Sequence, residues 1–562
     1  MELWPDYISG ADLEALRFLP IWERYAPLTP MGKKRKLENR PYRTDEKEKW
    51  QQEVTDVARF LPLVKDRNRY VRYTTEIEDI ETILAGWQKG RVLQRIDWFH
   101  LLQFLQKGLR ILQMPDWEWV WDLFPAYAEK DWQAVIGILS PSERGAGDDH
   151  SFQLESIYPD IFKSLQEEAK RLEERKSKLG MERKRAVEQE IGFEIPGSSP
   201  FYISRREDWK IQRLKAHPVF RTVQETPFDV AFGWELSEVE RELANSKEEL
   251  ERAWLKAEIE ANADLTERIL PYREKLLEWV QIFGRVDDLY AKACLAASYH
   301  GTIPIWEDDG RTIEMQEGFH PWLAELWEKQ NERFTPVDIL LQCGQVAVIV
   351  GPNMGGKSVA MRTLGLCTLI AQLGLPVPAK RFRFVPVNGI SWIGGEKEKM
   401  EEGLSSFGGE VKQLAELLRK EERVPHLVLC DEIGRGTNPE EGEALAIAVV
   451  EALGGKNWFT CFVSHYRAVV HIPNLRIYQI RGLPDHMETL IEQGDYLFQH
   501  IDRRLQWVEQ GSVPQAALTI AAWLGLPPAI IQRARNILLN QETITCKEDM
   551  RQVERVIDAR KE

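Results

Sequence analysis

Apolar residues recur at two different periods along this chain, and the change between them divides it. Up to about residue 300 the spacing is helical, as in Trp50, Val54, Val57 and Leu61. The stretch Tyr70 to Leu139 reads as several helices broken near Gly90 and Pro115, and Pro141 to His150 is a loop by composition. Two long charged helices follow. The first runs from about Pro159 to Glu190, with Phe162, Leu165, Ala169, Leu172 and Leu179 in one stripe. The second runs from about Leu236 towards Ala297, with Leu236, Val239, Leu243, Leu250 and Trp254 along one face. Pro271 is expected to kink or split it. The pattern fits an antiparallel coiled-coil arm and, equally, two helices of an ordinary bundle. Between them, residues 197–235 carry aromatic and β-branched runs such as Phe201-Tyr202-Ile203, short-strand text that would cap the tip of such an arm.

Beyond about residue 300 short apolar runs alternate with helical segments. Val346 to Val350, Leu427 to Cys430 and Phe459 to Val463 are short, predominantly apolar runs, the pattern of buried parallel strands. This is α/β text. A helical pair from Gln515 to Leu539 surrounds Gly525-Leu526-Pro527-Pro528, and a charged tail ends the sequence. The division expected is a helical segment over 1–69, a helical core and arm over 70–300, an α/β domain over 301–514, a helix–turn–helix over 515–540 and a tail over 541–562. The basic run Lys33-Lys34-Arg35-Lys36 reads as a solvated loop.

Composition narrows the class without fixing it. The 562 residues leave room for roughly three to four domains. A net charge of -15 argues against a protein coated in nucleic acid, although one local basic face can suffice. The 20 tryptophans, many flanked by apolar helical text, read first as core residues. No apolar run approaches the ~18 residues of a membrane span, and the acidic first ten residues lack the basic start of a secretory signal. Six cysteines without metal-ligand spacing read as buried thiols of a reducing cytosol, so a cytoplasmic protein is expected.

The chemistry sits after the first α/β strand. Gly351-Pro352-Asn353-Met354-Gly355-Gly356-Lys357-Ser358 is a complete phosphate-binding loop between an apolar run and a helical segment. Glycines let backbone N–H groups curl around phosphates, and the helix N-terminus adds a favourable dipole. Lys357 would reach the β/γ-phosphates of ATP, and the Ser358 hydroxyl would ligate Mg²⁺. Asp431, ending the run Leu427 to Cys430, is an acid at the end of a buried strand, which is costly unless it serves a cation. Glu432 next to it could orient and deprotonate an attacking water. His465, after the run Phe459 to Val463, could hydrogen-bond a γ-phosphate.

These pieces together resemble the ATPase domain of the MutS family. The resemblance rests on GPNMGGKS at 351–358, DEIGRGTN at 431–438 and SHY at 464–466. It extends to His320-Pro321, to Gly403-Leu404-Ser405-Ser406-Phe407 with Glu410, and to the Gly511-Ser512 and Ala521 to Arg535 segments. It implies a P-loop ATPase domain of the ABC/MutS type preceded by an all-α core with a long coiled-coil lever arm. Phe334 lies where the family places an aromatic under adenine, and Ser405 matches the signature serine that reaches the nucleotide of the other subunit. A homodimer, or a heterodimer with a MutS-like subunit, clasped by the C-terminal helix–turn–helix, follows from the same likeness.

Departures from the family pattern bear on the partner. No Phe-x-Glu triplet precedes Gly351, so mismatch reading by this chain alone is not expected. Leu404 and Gly408 stand where the family's signature loop carries arginine and methionine. The tip, 197–235, holds six basic and five acidic groups, a poor phosphate surface. Two readings stay open. One is a clamp-like ATPase on DNA. The other is an ATP-driven remodeller of a protein client, as in the short MutS-like ATPases that reactivate cobalamin-dependent lysine aminomutases.

Overall fold

The computed structural model describes residues 3–125, 128–141, 152–196, 199–308, 310–352, 355–394, 406–420, 424–482, 502–509, 517–523 and 525–538. The chain divides into two compact units, one of residues 1–28, 32–69 and 284–562 and one of 29–31 and 70–283. Among the described residues no helix is long and apolar enough to cross a membrane.

Four helices open the chain: α1 (Gly10–Ala15), α2 (Leu19–Arg24), α3 (Pro30–Glu38) and α4 (Lys47–Phe60). The basic run expected as a loop lies instead within α3. The reason is Lys36. Its ammonium donates to Trp22 O at 2.7 Å and lies 5.0 Å from the Trp22 ring and 5.2 Å from that of Tyr25. A long apolar stem with a charged tip covers aromatic surface in this way and anchors the helix.

The second unit is helical. It is built from α5 (Arg67–Thr74), α6 (Ile80–Gln88), α7 (Arg95–Leu112), α8 (Ala128–Leu139), α9 (Leu154–Ile157), α10 (Pro159–Ile191), α11 (Asp208–Ala216), α12 (Glu238–Ile269) and α13 (Arg273–Ser298), the last of which runs on into the first unit. Trp98, Trp117, Trp132 and Trp279 are fully buried, so these tryptophans are core residues. Trp132 stacks on Trp279 at 5.1 Å. Helices α10 and α12 pack antiparallel, with Phe162 against Trp254 near one end and Arg183 paired with Glu240 near the other. The second long helix is split where Pro271 stands, by the short 3-10 turn Leu270–Tyr272. Ser237 caps α12 in a capping box with Glu240.

Between α10 and α12 lies a three-stranded antiparallel sheet, β1 (Phe201–Ser204), β2 (Phe220–Glu225) and β3 (Asp229–Trp234), in the order β1-β3-β2. Phe201, Ile203, Phe220, Val230 and Phe232 pack on Ile211 and Leu214 of α11 to form its own small core.

The rest of the first unit holds two sheets. Strands β4 (Ile305–Trp306), β5 (Thr312–Gly318), β6 (Val337–Gln342) and β8 (Arg381–Phe384) form one, in the order β4-β8-β5-β6. The other contains β7 (Val346–Val350), β9 (Ile390–Gly394), β10 (Leu427–Asp431), β11 (Phe459–Val463), β12 (Arg476–Gly482) and β13 (Asp502–Val508), in the order β13-β12-β7-β11-β10-β9. Its first five strands are parallel and β13 runs antiparallel to β12. Every residue of β7, β10 and β11 is buried, Asp431 and Thr460 included, as central strands covered on both faces require. Helices α14 (Pro321–Glu328), α15 (Lys357–Gln372), α16 (Ser406–Leu418), α17 (Pro439–Leu453) and α18 (Ala517–Trp523) complete it, and residues 528–538 are helical. The first unit is therefore α/β.

The N-terminal helices share the core of this α/β unit. Leu13, Leu16, Phe18, Trp22 and Trp50 belong to the same buried cluster as Leu364, Ile370 and Leu429. A Cβ at Gly365 of α15 would lie 2.6 Å from Leu16 Cδ2 and 2.7 Å from Leu429 Cδ1, so the absence of a side chain there lets the three elements meet. Trp50 Nε1 donates to Ala371 O at 2.7 Å, and Ile390 N to Tyr7 O at 3.0 Å. Residues 3–69, set apart by their helical text in the sequence, thus complete the hydrophobic face of the α/β layer.

Candidate active site

The site grows from the C-terminal ends of the parallel strands β7, β10 and β11, the place where an open α/β sheet leaves a crevice. Strand β7 ends at Val350, and the chain turns sharply at Gly351, where a Cβ would lie 2.9 Å from Ile480 Cβ. Gly356 adopts φ 94°, a left-handed conformation that costs glycine nothing, and directly precedes α15. Asn353 and Met354 lie outside the described residues, as do Ser405 and the Gly403-Leu404 and Gly511-Ser512 pairs.

Lys357 is the first residue of α15 and is almost wholly buried. Its Nζ donates to Gly351 O at 3.0 Å and Pro352 O at 3.3 Å, and lies 3.4 Å from Glu432 Oε1. A buried ammonium is tolerable only when so surrounded by oxygens. Ser358 Oγ donates to Asp431 Oδ1 at 2.9 Å, joining the first turn of α15 to the last residue of β10. Burial raises the Asp431 carboxyl above the usual range, as does the charge of Glu432. The Ser358 hydroxyl, Arg362 and Lys357 act in the opposite direction.

Glu432 has φ 51°, unusual for a residue with a side chain, and its amide donates to Val463 O at 3.1 Å. This turn sets its carboxylate between Lys357 and Arg435, whose Nη1 lies 3.3 Å from Glu432 Oε2. Arg435 was not singled out from the sequence. Its position three residues after Glu432 within a glycine-rich turn was the available signal.

His465 follows β11 and is partly exposed. Burial lowers its pKa, Glu432 pulls it up, and Lys357 and Arg435 push it down, so the ring is neutral near pH 7. Its neighbours are fixed. Ser464 N donates to Ile349 O at 3.1 Å, and Tyr466 OH donates to Gly434 O at 2.9 Å. A Cβ at Gly442 of α17 would lie 2.2 Å from that hydroxyl, so Tyr466 also depends on a glycine for its place. Gly434 N in turn donates to Glu410 Oε2 at 3.3 Å, on α16.

Two further residues stand apart from this cluster. His320 caps α14 and is fully buried. Its Nε2 lies 2.9 Å from Leu16 O, an atom that can only accept, while Leu323 N lies 3.5 Å from Nδ1. These contacts select the neutral Nε2–H tautomer, and burial holds the pKa down at about 4. Phe334, ahead of β6, is partly buried and stacks on Trp327 with ring centroids 5.2 Å apart and an interplanar angle of 28°.

The structure thus brings Lys357, Ser358, Asp431 and Glu432 together through direct contacts, with His465 in their electrostatic reach. A hydroxyl and a carboxylate bonded to one another form a hard oxygen pair, the donor chemistry that suits Mg²⁺. A buried cation at a helix N-terminus suits an anion.

Residues 347–542 match the family described as MutS domain V. Among curated proteins, the chain is 30% identical over 489 residues to the protein named Endonuclease MutS2 of Thermomicrobium roseum, covering 82% of this chain and 57% of that one. It is 32% identical over 275 residues to Endonuclease MutS2 of Lactiplantibacillus plantarum, covering 49% of this chain and 33% of the relative. It is 30% identical over 308 residues to DNA mismatch repair protein MutS of Solibacter usitatus, covering 54% and 34%. The chain therefore matches between about a third and 57% of the length of these relatives. With the phosphate-binding loop, the Asp431-Glu432 pair and His465 all inside the match, residues 347–542 belong to the family described as MutS domain V.

Proposed function

We propose that this chain is a MutS-like ATPase that binds ATP with Mg²⁺ in the loop after β7 and hydrolyses it at a dimer interface, driving a clamp-like change on DNA without reading mismatches itself. One observation carries the catalytic part: Ser358 Oγ and Asp431 Oδ1 meet at 2.9 Å, although 72 residues separate them along the chain. Ser358 and Asp431 would hold Mg²⁺, which when bound neutralises charge on the phosphates. Gly351 to Gly356 supply backbone donors to the triphosphate, and Lys357 exchanges its loop carbonyls for phosphate oxygens. Glu432 orients the attacking water and accepts its proton. His465, neutral and next to β11, hydrogen-bonds the terminal phosphate. Phe334 carries the adenine.

Ser405 enters this reading from a second subunit, a copy of this chain or a MutS-like partner. Its role there excludes water from the exposed side of the triphosphate. The antiparallel pair α10–α12 acts as the lever, with the β1–β3 sheet at its tip. DNA as the partner is supported by the names of the relatives, an endonuclease and a mismatch-repair protein. The test is steady-state ATP turnover with and without duplex and branched DNA, combined with sedimentation of Glu432→Gln in ATP. Turnover, a salt-sensitive DNA response and an ATP-dependent dimer support it, whereas a strictly monomeric Glu432→Gln protein removes the trans site.

A protein client is the second reading, and the tip favours it. Arg205 and Lys215 both pair with Glu225, and Lys210 pairs with Glu207. Three of the tip's six basic groups are thereby engaged by two of its own acids, while Tyr202, Trp209 and Phe228 are exposed. ATPase stimulation by a nuclease-treated cell extract would support this reading over DNA.

A further inference from the structure

Phe334 does not stand alone. Trp327, near the end of α14, lies against its ring, and the guanidinium of Arg503 lies 5.0 Å from the Trp327 centroid. Arg503 is largely buried, its side chain 12% exposed, and its Nη1 is 3.1 Å from Glu332 Oε2. Glu332 itself lies two residues before Phe334. Trp327 thus contacts both Phe334 and Arg503, and the Arg503–Glu332 pair ties Arg503 back to the loop that carries Phe334.

The strands place this stack beside the phosphate-binding loop. Gly351 turns against Ile480 of β12, and a Cβ at Gly482, the last residue of β12, would lie 3.2 Å from Pro352 Cγ. Gly482 pairs with Asp502 of β13, and Arg503 is the next residue. Arg503, which contacts Trp327, is therefore one residue along β13 from the partner of the glycine that packs on the loop's Pro352. A second tie runs from β12 to the strand that follows Phe334: Leu340 N donates to Tyr478 OH at 2.8 Å. An aromatic ring held at a fixed place beside a triphosphate site is what a nucleobase needs. Stacking is directional, and its benefit is lost if the ring must first be ordered.

We propose that Trp327 and Arg503 are positioning residues for the nucleobase: Trp327 fixes the Phe334 ring from behind, and Arg503 locks Trp327 to the sheet edge next to Gly351. The inference rests on the reading of the loop after β7 as the triphosphate site and of Phe334 as the seat of the adenine, and adds to it the two residues that hold that ring in place.

The test is calorimetric binding of Mg·ATP, Mg·CTP and magnesium tripolyphosphate to the full chain and to Trp327→Leu, Arg503→Met and Trp327→Phe. Wild-type protein is expected to prefer ATP to CTP and to tripolyphosphate. Trp327→Leu and Arg503→Met should weaken ATP by about three- to tenfold and reduce its preference over CTP by the same factor. Their affinity for tripolyphosphate should be unchanged, and Trp327→Phe should stay within about twofold of wild type. Because the two truncations lie on different elements, a folding defect in one leaves the other informative. Wild-type affinity for ATP in both truncations, or equal losses for ATP and tripolyphosphate, would overturn the proposal. Wild-type protein that binds tripolyphosphate as tightly as ATP overturns the base platform and leaves the phosphate site standing. Protein that binds neither overturns both.

Discussion

Ser358 Oγ donates to Asp431 Oδ1 at 2.9 Å, so the first turn of α15 and the end of β10 are joined by a bond between two oxygen donors. If this pair holds the metal, each partner matters for the metal before it matters for the nucleotide. Ser358→Ala and Asp431→Asn should raise the free Mg²⁺ needed for half-maximal ATP turnover by about 10- to 100-fold. Turnover titrated against Mg²⁺ at saturating ATP checks this, and an unchanged midpoint in both variants would remove the metal assignment.

On the proposed reading Glu432, held between Lys357 and Arg435, acts on water. Glu432→Gln keeps the side chain's size but removes its charge and leaves one oxygen to serve either Lys357 or Arg435, and should lower turnover by about 10²–10⁴-fold while ATP still binds. Single-turnover kinetics alongside equilibrium binding separate the two effects. Loss of binding in step with turnover would make Glu432 a structural partner of Lys357 instead.

Two buried histidines give stability a defined pH dependence. His320 is held down at about 4 by burial and His426 at about 3 by burial and the charge of Lys420, against 6.5 for an ordinary histidine. The unfolded chain therefore takes up these protons at a higher pH than the fold does. Their contribution is intact above about pH 6.5 and declines as the pH falls towards about 4, by at most about 1.4 kcal/mol per pH unit for each histidine. Denaturant midpoints measured between pH 7 and pH 4 should fall accordingly. His320→Asn retains a capping side chain and should reduce the slope by about half.

The contact of the N-terminal segment with α15 is tight enough to test by volume. Gly365→Ala places a methyl 2.6 Å from Leu16 Cδ2 and 2.7 Å from Leu429 Cδ1, and should cost about 1–3 kcal/mol of stability. Leu16→Ala leaves a cavity and should cost about 2–5 kcal/mol alone. The double variant should be more stable than the sum of the two losses implies, because the new methyl occupies part of the space that Leu16 vacates. Strict additivity in chemical denaturation would show that the two residues do not share a packing site.

How much of this was legible in the sequence depends on the distance over which each feature is determined. The runs at Val346 to Val350, Leu427 to Cys430 and Phe459 to Val463 could be read as strands because a strand buried on both faces is mostly apolar, a local requirement. The glycines, Lys357 and Ser358 could be read from their neighbours, and Asp431 from its place at a strand end. Pro271 marked the split between α12 and α13 for an equally local reason. The basic run at Lys33 was misread as a loop because what anchors it, the contact of Lys36 with Trp22 and Tyr25, joins residues more than ten positions apart. The same limit hid the pairing of Arg503 with Trp327, and the dependence of Gly365 on Leu16, each spanning far more of the chain. Periodicity says that a residue is buried. It does not say against what.

The central claim is that Lys357 and the loop before it cradle a triphosphate with its metal. Calorimetric titration of Mg·ATP into the wild-type chain and into Lys357→Ala tests it most directly. The account predicts saturable binding near one nucleotide per chain in the wild type and none in Lys357→Ala. No heat with the wild type, or equal affinity in the two proteins, would contradict it.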